Sequence, residues 1–172
     1  MSAQPLPASE RFVYVRVDDP LARPLFDELA TEYATRYADL SRPEDTRNEL
    51  ERYPAQAFEP PHGAFVLLLR DGEPVAGGAF MRHADPGTVE FKRIWTRHDL
   101  RRQGLARRVL DELEAQALRQ GYARVVLGTG SRQPEAVALY ESAGYTLVAR
   151  RHYAEGHPPG YAFAKALSTA DP

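Results

Sequence analysis

The stretch "TVEFKRIWTRHDLRRQGLARRVL", residues 88–110, sets the reading of everything around it. Its first nine residues read as a strand, with Val89 and Phe91 alternating against Glu90 and Lys92. Its last residues open a helical pattern over 104–120, with Ala106, Val109, Leu110, Leu113 and Ala117 on one face. Between strand and helix lies a short turn containing Gly104. That turn is crowded with positive charge. Seven of the 17 residues from Lys92 to Arg108 are basic (Lys92, Arg93, Arg97, Arg101, Arg102, Arg107 and Arg108), and only Asp99 opposes them. The chain's formal net charge is -2, so this stretch carries +6 and the remainder -8.

A strand that runs through a short loop into a helix N-terminus builds an anion site. Unpaired backbone N–H groups and the positive end of the helix dipole point the same way. Gly104 has no Cβ and lets the backbone approach a ligand closely, and Ala106 is small for the same reason. Arginines add charge and forked donors suited to phosphate. The ligand this predicts is a phosphate or pyrophosphate. The competing reading is a solvated basic face at a helix start. Other phosphate loops do not fit. The pattern G-x-x-x-x-G-K-[ST] is absent. "GTGSRQ" (128–133) follows a strand and precedes a helix, but Gln133 stands where a dinucleotide fingerprint has its third glycine. A nucleic-acid surface would spread basic charge over a face with aromatics between, and here Trp95 is the only Phe, Tyr or Trp from Lys92 to Arg108.

Composition sets the frame. At 172 residues the chain has the length of one domain, with residues 1–10 a loose Pro/Ala/Ser-rich tail and 11–168 the folded part. There is no cysteine, which excludes disulfides, thiolate zinc sites and a cysteine nucleophile. "MSAQPLPASER" lacks the basic start and apolar core of a signal peptide, and no apolar run reaches membrane-spanning length, so a cytoplasmic location is expected. The five histidines show no metal spacing, and no metal is expected.

Outward from 88–110, "FVYVRV" (12–17) reads as a strand. Asp18, Asp19 and Pro20 start a helix to about Ala38 whose stripe is Leu25, Leu29, Tyr33 and Tyr37. A second short helix is expected over 43–53. "AFVLLLR" (64–70), the Asp71-Gly72 turn and "EPVAGGAFMRH" form a hairpin, and Asp85-Pro86-Gly87 turns into the strand at 88–96. Gly121 closes the central helix. "ARVVLGTG" is the next strand, a helix runs from Pro134 to Gly144, and "YTLVARRHY" and "GYAFAKAL" are final strands. The crossover from 88–96 through 104–120 to 124–128 implies a parallel strand pair inside an otherwise antiparallel sheet.

Arg101-Arg102-Gln103-Gly104-Leu105-Ala106 resembles the [Q/R]-x-x-G-x-[G/A] loop of the GNAT superfamily of acyl-CoA N-acyltransferases. The preceding strand and the later "QPEAVALYESAGY" extend the resemblance, and the element order fits from about residue 11 to 167. The resemblance implies a GNAT-like α/β fold. Its sheet would be mixed and mostly antiparallel, with a splayed central parallel pair and helices on both faces. It also implies that the loop amides of Arg101 to Arg107 hold the coenzyme A pyrophosphate, with acetyl-CoA as cosubstrate.

Five further expectations follow. Val89 and Phe91 share a face, but Ile94 is out of phase with them, so either Trp95 is the inward residue or the strand slips by one residue as a β-bulge. The resemblance favours the bulge, with a freed N–H near Ile94 for the thioester carbonyl and with Ile94, Trp95 and Thr96 pairing the pantetheine arm. Gly128 and Gly130 resist regular pairing and suit either a splay or a plain strand exit. Tyr140, on the apolar face of its helix, reads as core by pattern; the resemblance makes it the acid that protonates the coenzyme A sulfur. Gln133 stands where many members carry an asparagine that contacts the coenzyme. Glu90 is either a general base acting through water or an ion-pair partner of Lys92.

The acceptor pocket is expected from Tyr33, Tyr37, Phe58, His62, Tyr153 and Tyr161, which serve equally as packing groups. The expected function is acetyl transfer to a primary amine in a ternary complex. The expected partners are acetyl-CoA and an amine, with no nucleic acid and no membrane, in a monomer or homodimer. The alternatives are a non-catalytic acyl-CoA sensor on the same fold and a polyanion binder.

Overall fold

The structure is a computed structural model that describes residues 9–36, 39, 52–152 and 159–168. Seven strands form one sheet in the order β1-β2-β3-β4-β5-β7-β6. They are β1 Glu10–Tyr14, β2 Ala64–Arg70, β3 Glu73–Arg82, β4 Thr88–Thr96, β5 Arg124–Gly130, β6 Thr146–Arg151 and β7 Gly160–Ala166. Neighbours pair antiparallel except β4 and β5, which are parallel. The helices are α1 Arg23–Arg36, α2 Leu105–Arg119 and α3 Pro134–Ser142. This is the mixed, mostly antiparallel α/β fold that the sequence implies.

Local chemistry explains the joints. The β2–β3 hairpin turns through Asp71 and Gly72, both at positive φ (52° and 85°), which matches the right-handed twist of the strands. Asp19 caps a 3-10 turn at Pro20–Ala22 by accepting the Leu21 N–H at 2.9 Å, and α1 follows directly. At the end of α2 the Tyr122 N–H donates to Ala117 O and the Gly121 N–H to Leu118 O. At the end of α3 the Tyr145 N–H donates to Tyr140 O and the Gly144 N–H to Glu141 O. Both pairs are Schellman closures around a left-handed glycine (φ 91° at each). The second brings the Tyr145 ring edge-on to Tyr140, with centroids 6.0 Å apart.

The sheet separates two apolar layers. Val66, Leu68, Phe80, Val89, Phe91, Val125, Leu127 and Phe163 pack against α2 and α3. Phe65, Leu67, Leu69, Ala79 and Trp95 pack against Leu25 and Leu29 of α1 and against Phe58. Leu105, Val109, Leu110, Leu113 and Ala117 are the buried stripe of α2, as the helical spacing predicts.

The structure differs from the sequence reading in detail. The first strand ends at Tyr14 rather than residue 17, because the chain turns into the Asp19 cap. A 3-10 turn, Ala55–Phe58, lies between the helix expected over 43–53 and the hairpin. Most of the helix expected over 43–53 lies outside the described residues, as do Tyr37 and Tyr153.

Candidate active site

Two irregularities in adjacent strands open the sheet. The first is in β4. Gly77 pairs with Trp95 and Ala79 with Lys92, so Arg93 and Ile94 together face Gly78. Arg93 adopts φ 59°, the left-handed conformation of a bulged residue. The slip has the effect that the alternation required. Ile94 joins Val89 and Phe91 on the α2 side, while Trp95 turns to the α1 side and is buried there. Gly78 makes it possible. A Cβ at that position would lie 2.7 Å from Ile94 Cδ1 and 3.0 Å from Leu113 Cδ1. The glycine pair of "VAGGAF" is the trace of this approach in the sequence, and periodicity alone passes over it.

The second irregularity is the end of β4–β5 pairing. The parallel register runs from Thr88 opposite Arg124 to Phe91 opposite Leu127 and stops. Beyond that point β4 stays with β3 to Thr96, and β5 stays with β7 to Gly130. The two central strands therefore diverge. A cavity of about 1190 Å³ fills the divergence. Lys92 to Thr96 line one wall and Gly128 to Gly130 the other, and Tyr140 and Leu139 of α3 contribute to it.

The basic turn lies at the same cavity. Arg101, Arg102, Gly104, Leu105, Ala106 and Arg107 line it, while Gln103 is exposed and does not. Arg102 (φ 66°) and Gly104 (φ 76°) are both left-handed, and such alternation turns successive amides to one concave side. Gly104 is also the N-cap of α2. Arg101 is held from α1, its Nη2 donating to Glu32 at 3.1 Å. Arg107 donates to Ser142 O at 3.1 Å, tying the loop to the end of α3. Arg108 points elsewhere and pairs with Glu10 of β1 at 2.7 Å.

A carboxylate from α1 braces the junction between bulge and loop. Glu28 accepts from Trp95 Nε1 at 3.1 Å and from the His98 backbone N–H at 3.0 Å, and its other oxygen lies 3.0 Å from His98 Nδ1. Burial raises its pKa, but the hydrogen bonds outweigh that, and the carboxyl is held below its ordinary value. Glu28 was invisible to sequence reasoning because its partners lie 67 and 70 residues away.

Tyr140 is 7% exposed and its ring packs on Tyr145 and Phe163. Burial, with a smaller contribution from Tyr33, pushes its phenol well above the ordinary tyrosine value, so it stays protonated at neutral pH. Glu90 lines the cavity from β4 and lies 3.5 Å from Lys92 Nζ, so the ion pair forms at the cavity wall. Gln133 occupies the N-cap position of α3 without a side-chain capping bond, and its side chain accepts from Thr129 Oγ1 at 2.7 Å. Thr96 Oγ1 is buried in the cavity wall without a hydrogen-bond partner among the described residues.

The expected acceptor residues are scattered. Tyr33 lines the cavity and is 39% exposed. Phe58 does not line it; it is 1% exposed, packed edge-on to Tyr53 and beneath the Arg93 guanidinium. His62 also lies off the cavity, near Arg82 Nη1 at 3.4 Å. Tyr161 packs against the α2-side core. Tyr53, Arg52 and Arg151 line the cavity and were not anticipated.

Known proteins share this fold. A structure from Salmonella typhimurium solved with its cofactor acetyl-CoA superposes with TM-score 0.68 at 20% identity, covering 94% of this chain and 95% of that one. A GNAT-family acetyltransferase from Staphylococcus aureus gives TM-score 0.72 at 13% identity, covering 93% and 100%. At these identities the likeness speaks for the fold. N-acetyltransferase 8 from Homo sapiens is 30% identical over 122 residues, 68% of this chain and 52% of that protein. The matches to curated relatives span between 34% and 59% of their lengths. The family model described as "Acetyltransferase (GNAT) family" matches residues 23–145, well over half of the chain, and the protein belongs to that family.

Proposed function

We propose that the protein is an acetyl-CoA-dependent N-acetyltransferase that moves an acetyl group to the primary amine of a small molecule by direct attack in a ternary complex. The observation that carries the reading is the continuity of one cavity. It runs from the left-handed basic loop at the N-terminus of α2, through the gap between β4 and β5, to the protonated phenol of Tyr140. Phosphate needs the loop, an extended thiol arm needs the gap, and a leaving thiolate needs the acid.

The residues present fit such a cosubstrate. Gly128 and Gly130 put no side chain into the gap from the β5 wall, and Thr96 Oγ1 is a buried polar atom that lacks a partner among the described residues. In this reading Arg101 to Arg107 hold the pyrophosphate, with the amides between Arg102 and Ala106 as the main donors. The β4 strand beyond the bulge, Ile94 to Thr96, pairs with the pantetheine arm, and Gln133 lies close to it. The bulge frees a backbone N–H toward the thioester carbonyl, where such a donor is typically worth about 10²–10³ in rate. Glu90 takes the proton of the attacking ammonium, directly or through water. The amine nitrogen forms the new C–N bond, the C–S bond breaks, the Tyr140 hydroxyl passes its proton to the sulfur, and the second proton that the nitrogen sheds on becoming an amide restores the phenol. The products are the acetamide and the free thiol.

The test is release of free thiol from acetyl-CoA across a panel of amines. Amine-dependent thiol release, with the matching acetamide detected by mass, supports the proposal. Acetyl-CoA binding with no release for any amine would instead identify an acyl-CoA sensor.

A further inference from the structure

The bulge at Arg93 and Ile94 and the left-handed turns at Arg102 and Gly104 lie on one stretch of chain, and α1 fastens that stretch along its length. Residues 95, 98 and 101 each present a donor to the helix. Trp95 Nε1 and the His98 backbone N–H meet the same oxygen of Glu28, at 3.1 Å and 3.0 Å, and Arg101 Nη2 meets Glu32 at 3.1 Å. Glu28 and Glu32 lie one turn apart on α1 and so share a face. One turn further, Arg36 Nη1 donates at 3.0 Å to Arg132 O, just beyond the end of β5. The helix therefore spans the divergence of β4 and β5 and serves both strands as a common reference.

Glu28 is distinguished by what it joins. One of its donors belongs to the end of β4, directly after the bulge, and the other to the 3-10 turn His98–Leu100 that leads into the loop. Hydrogen bonds to a carboxylate are short and charge-assisted, so the two donors are held as one body. Trp95 is 2% exposed, and its indole N–H depends on that buried acceptor. Its backbone follows Ile94, where the bulge frees an N–H. A loop that settles on a bound pyrophosphate moves His98, and through Glu28 it moves Trp95 and the bulge.

We propose that Glu28 is a positioning residue for the transfer: it links the pyrophosphate loop to the bulge, so that grip on the nucleotide end of acetyl-CoA places the bulge N–H at the thioester carbonyl. The inference rests on the transferase reading above. Contacts to a part of the cosubstrate that does not react raise the rate when the scaffold transmits them to the reacting bond. A scaffold without the link would hold the two ends of the cosubstrate independently. Coupling is reciprocal, so occupancy of the loop is felt at Trp95 as well.

The experiment divides the cosubstrate. S-acetylpantetheine supplies the thioester and the arm, and 3′-phospho-ADP supplies the pyrophosphate. The acceptor is whichever amine gives the fastest thiol release from acetyl-CoA. In the wild type, 3′-phospho-ADP added in trans should raise the rate from S-acetylpantetheine at least about fivefold, the lower end of the usual range for coupled sites. Glu28→Ala should reduce that stimulation below about twofold. Glu28→Gln, whose amide oxygen still accepts from both N–H groups, should keep most of it. Trp95 is the chain's one tryptophan, so its indole N–H gives a single resonance. 3′-Phospho-ADP alone should move that resonance in the wild type and leave it in place in Glu28→Ala. If Glu28→Ala does not fold, Trp95→Phe removes the N–H while keeping a ring in the core, and it should lose the stimulation likewise. No stimulation in the wild type, undiminished stimulation in Glu28→Ala or Trp95→Phe, or a wild-type indole resonance that ignores 3′-phospho-ADP overturns the inference and leaves the transferase reading intact. Absence of thiol release from acetyl-CoA with every amine overturns the transferase reading itself, and this inference with it.

Discussion

Replacing Tyr140 by phenylalanine separates the two roles that the residue can have, acid and core packing. The ring is buried, with centroid contacts of 6.0 Å to Tyr145 and 5.9 Å to Phe163, and phenylalanine keeps both. The hydroxyl makes no hydrogen bond among the described residues, so removing it strands no partner. Stability should change by less than about 1 kcal/mol, and the melting temperature by no more than roughly 4 °C. Catalysis should respond differently. A positioned acid contributes about 10²–10⁴ in rate, or roughly 3–5 kcal/mol of barrier. The assay is steady-state thiol release at saturating acetyl-CoA, with KM for acetyl-CoA measured beside it. The expected split is kcat down by about a hundredfold or more with KM for acetyl-CoA roughly unchanged. Because burial holds the phenol protonated beyond the ordinary tyrosine range, the wild type should keep its acid through pH 10. A variant with kcat within about threefold of wild type refutes the acid assignment and leaves Tyr140 as core.

Three other perturbations address the scaffold and the base. Gly78→Ala forces a Cβ to within 2.7 Å of Ile94, so chemical denaturation should show a loss of about 1–3 kcal/mol together with reduced turnover; undiminished stability would mean that the bulge does not depend on this glycine. Glu28 has a depressed folded pKa, so it stabilises the fold above its unfolded value of about 4.5, and that contribution disappears as pH falls through the lower folded value. Glu28→Gln should therefore flatten the dependence of melting temperature on pH below about 4.5, and identical slopes would remove Glu28 as a brace. Glu90→Gln should displace the alkaline-rising limb of the pH–rate profile, whereas a superimposable profile excludes Glu90 as the base.

Much of the fold could be read from neighbours in sequence. The phase error between Phe91 and Ile94 marks the bulge because a period of two leaves no other way to bury both residues. The crossover length from β4 through α2 to β5 dictates a parallel pair, and Gly128 and Gly130 mark where pairing fails. What the sequence hid lies across the sheet rather than along the chain. Glu28 braces Trp95 from 67 residues away, Glu32 holds Arg101 from 69, and Arg151 reaches β5 over glycines of two strands. No period or spacing records such meetings. Aromatic residues misled for the opposite reason: Phe58 looks like an acceptor contact in a list of rings, yet it is enclosed beneath Arg93 and Tyr53.

The central claim is that the loop, gap and phenol form one acetyl-CoA site, and thermal unfolding with added acetyl-CoA tests it most directly. At a ligand concentration 100 times Kd, binding to the native state adds about 2.7 kcal/mol, which for a chain of this size is a rise of roughly 5–10 °C. The account predicts that rise, with a markedly smaller one for Gly104→Val, because a β-branched residue is strained at φ 76° and the loop shifts to relieve it. No rise at saturating acetyl-CoA, or an undiminished one in Gly104→Val, contradicts it.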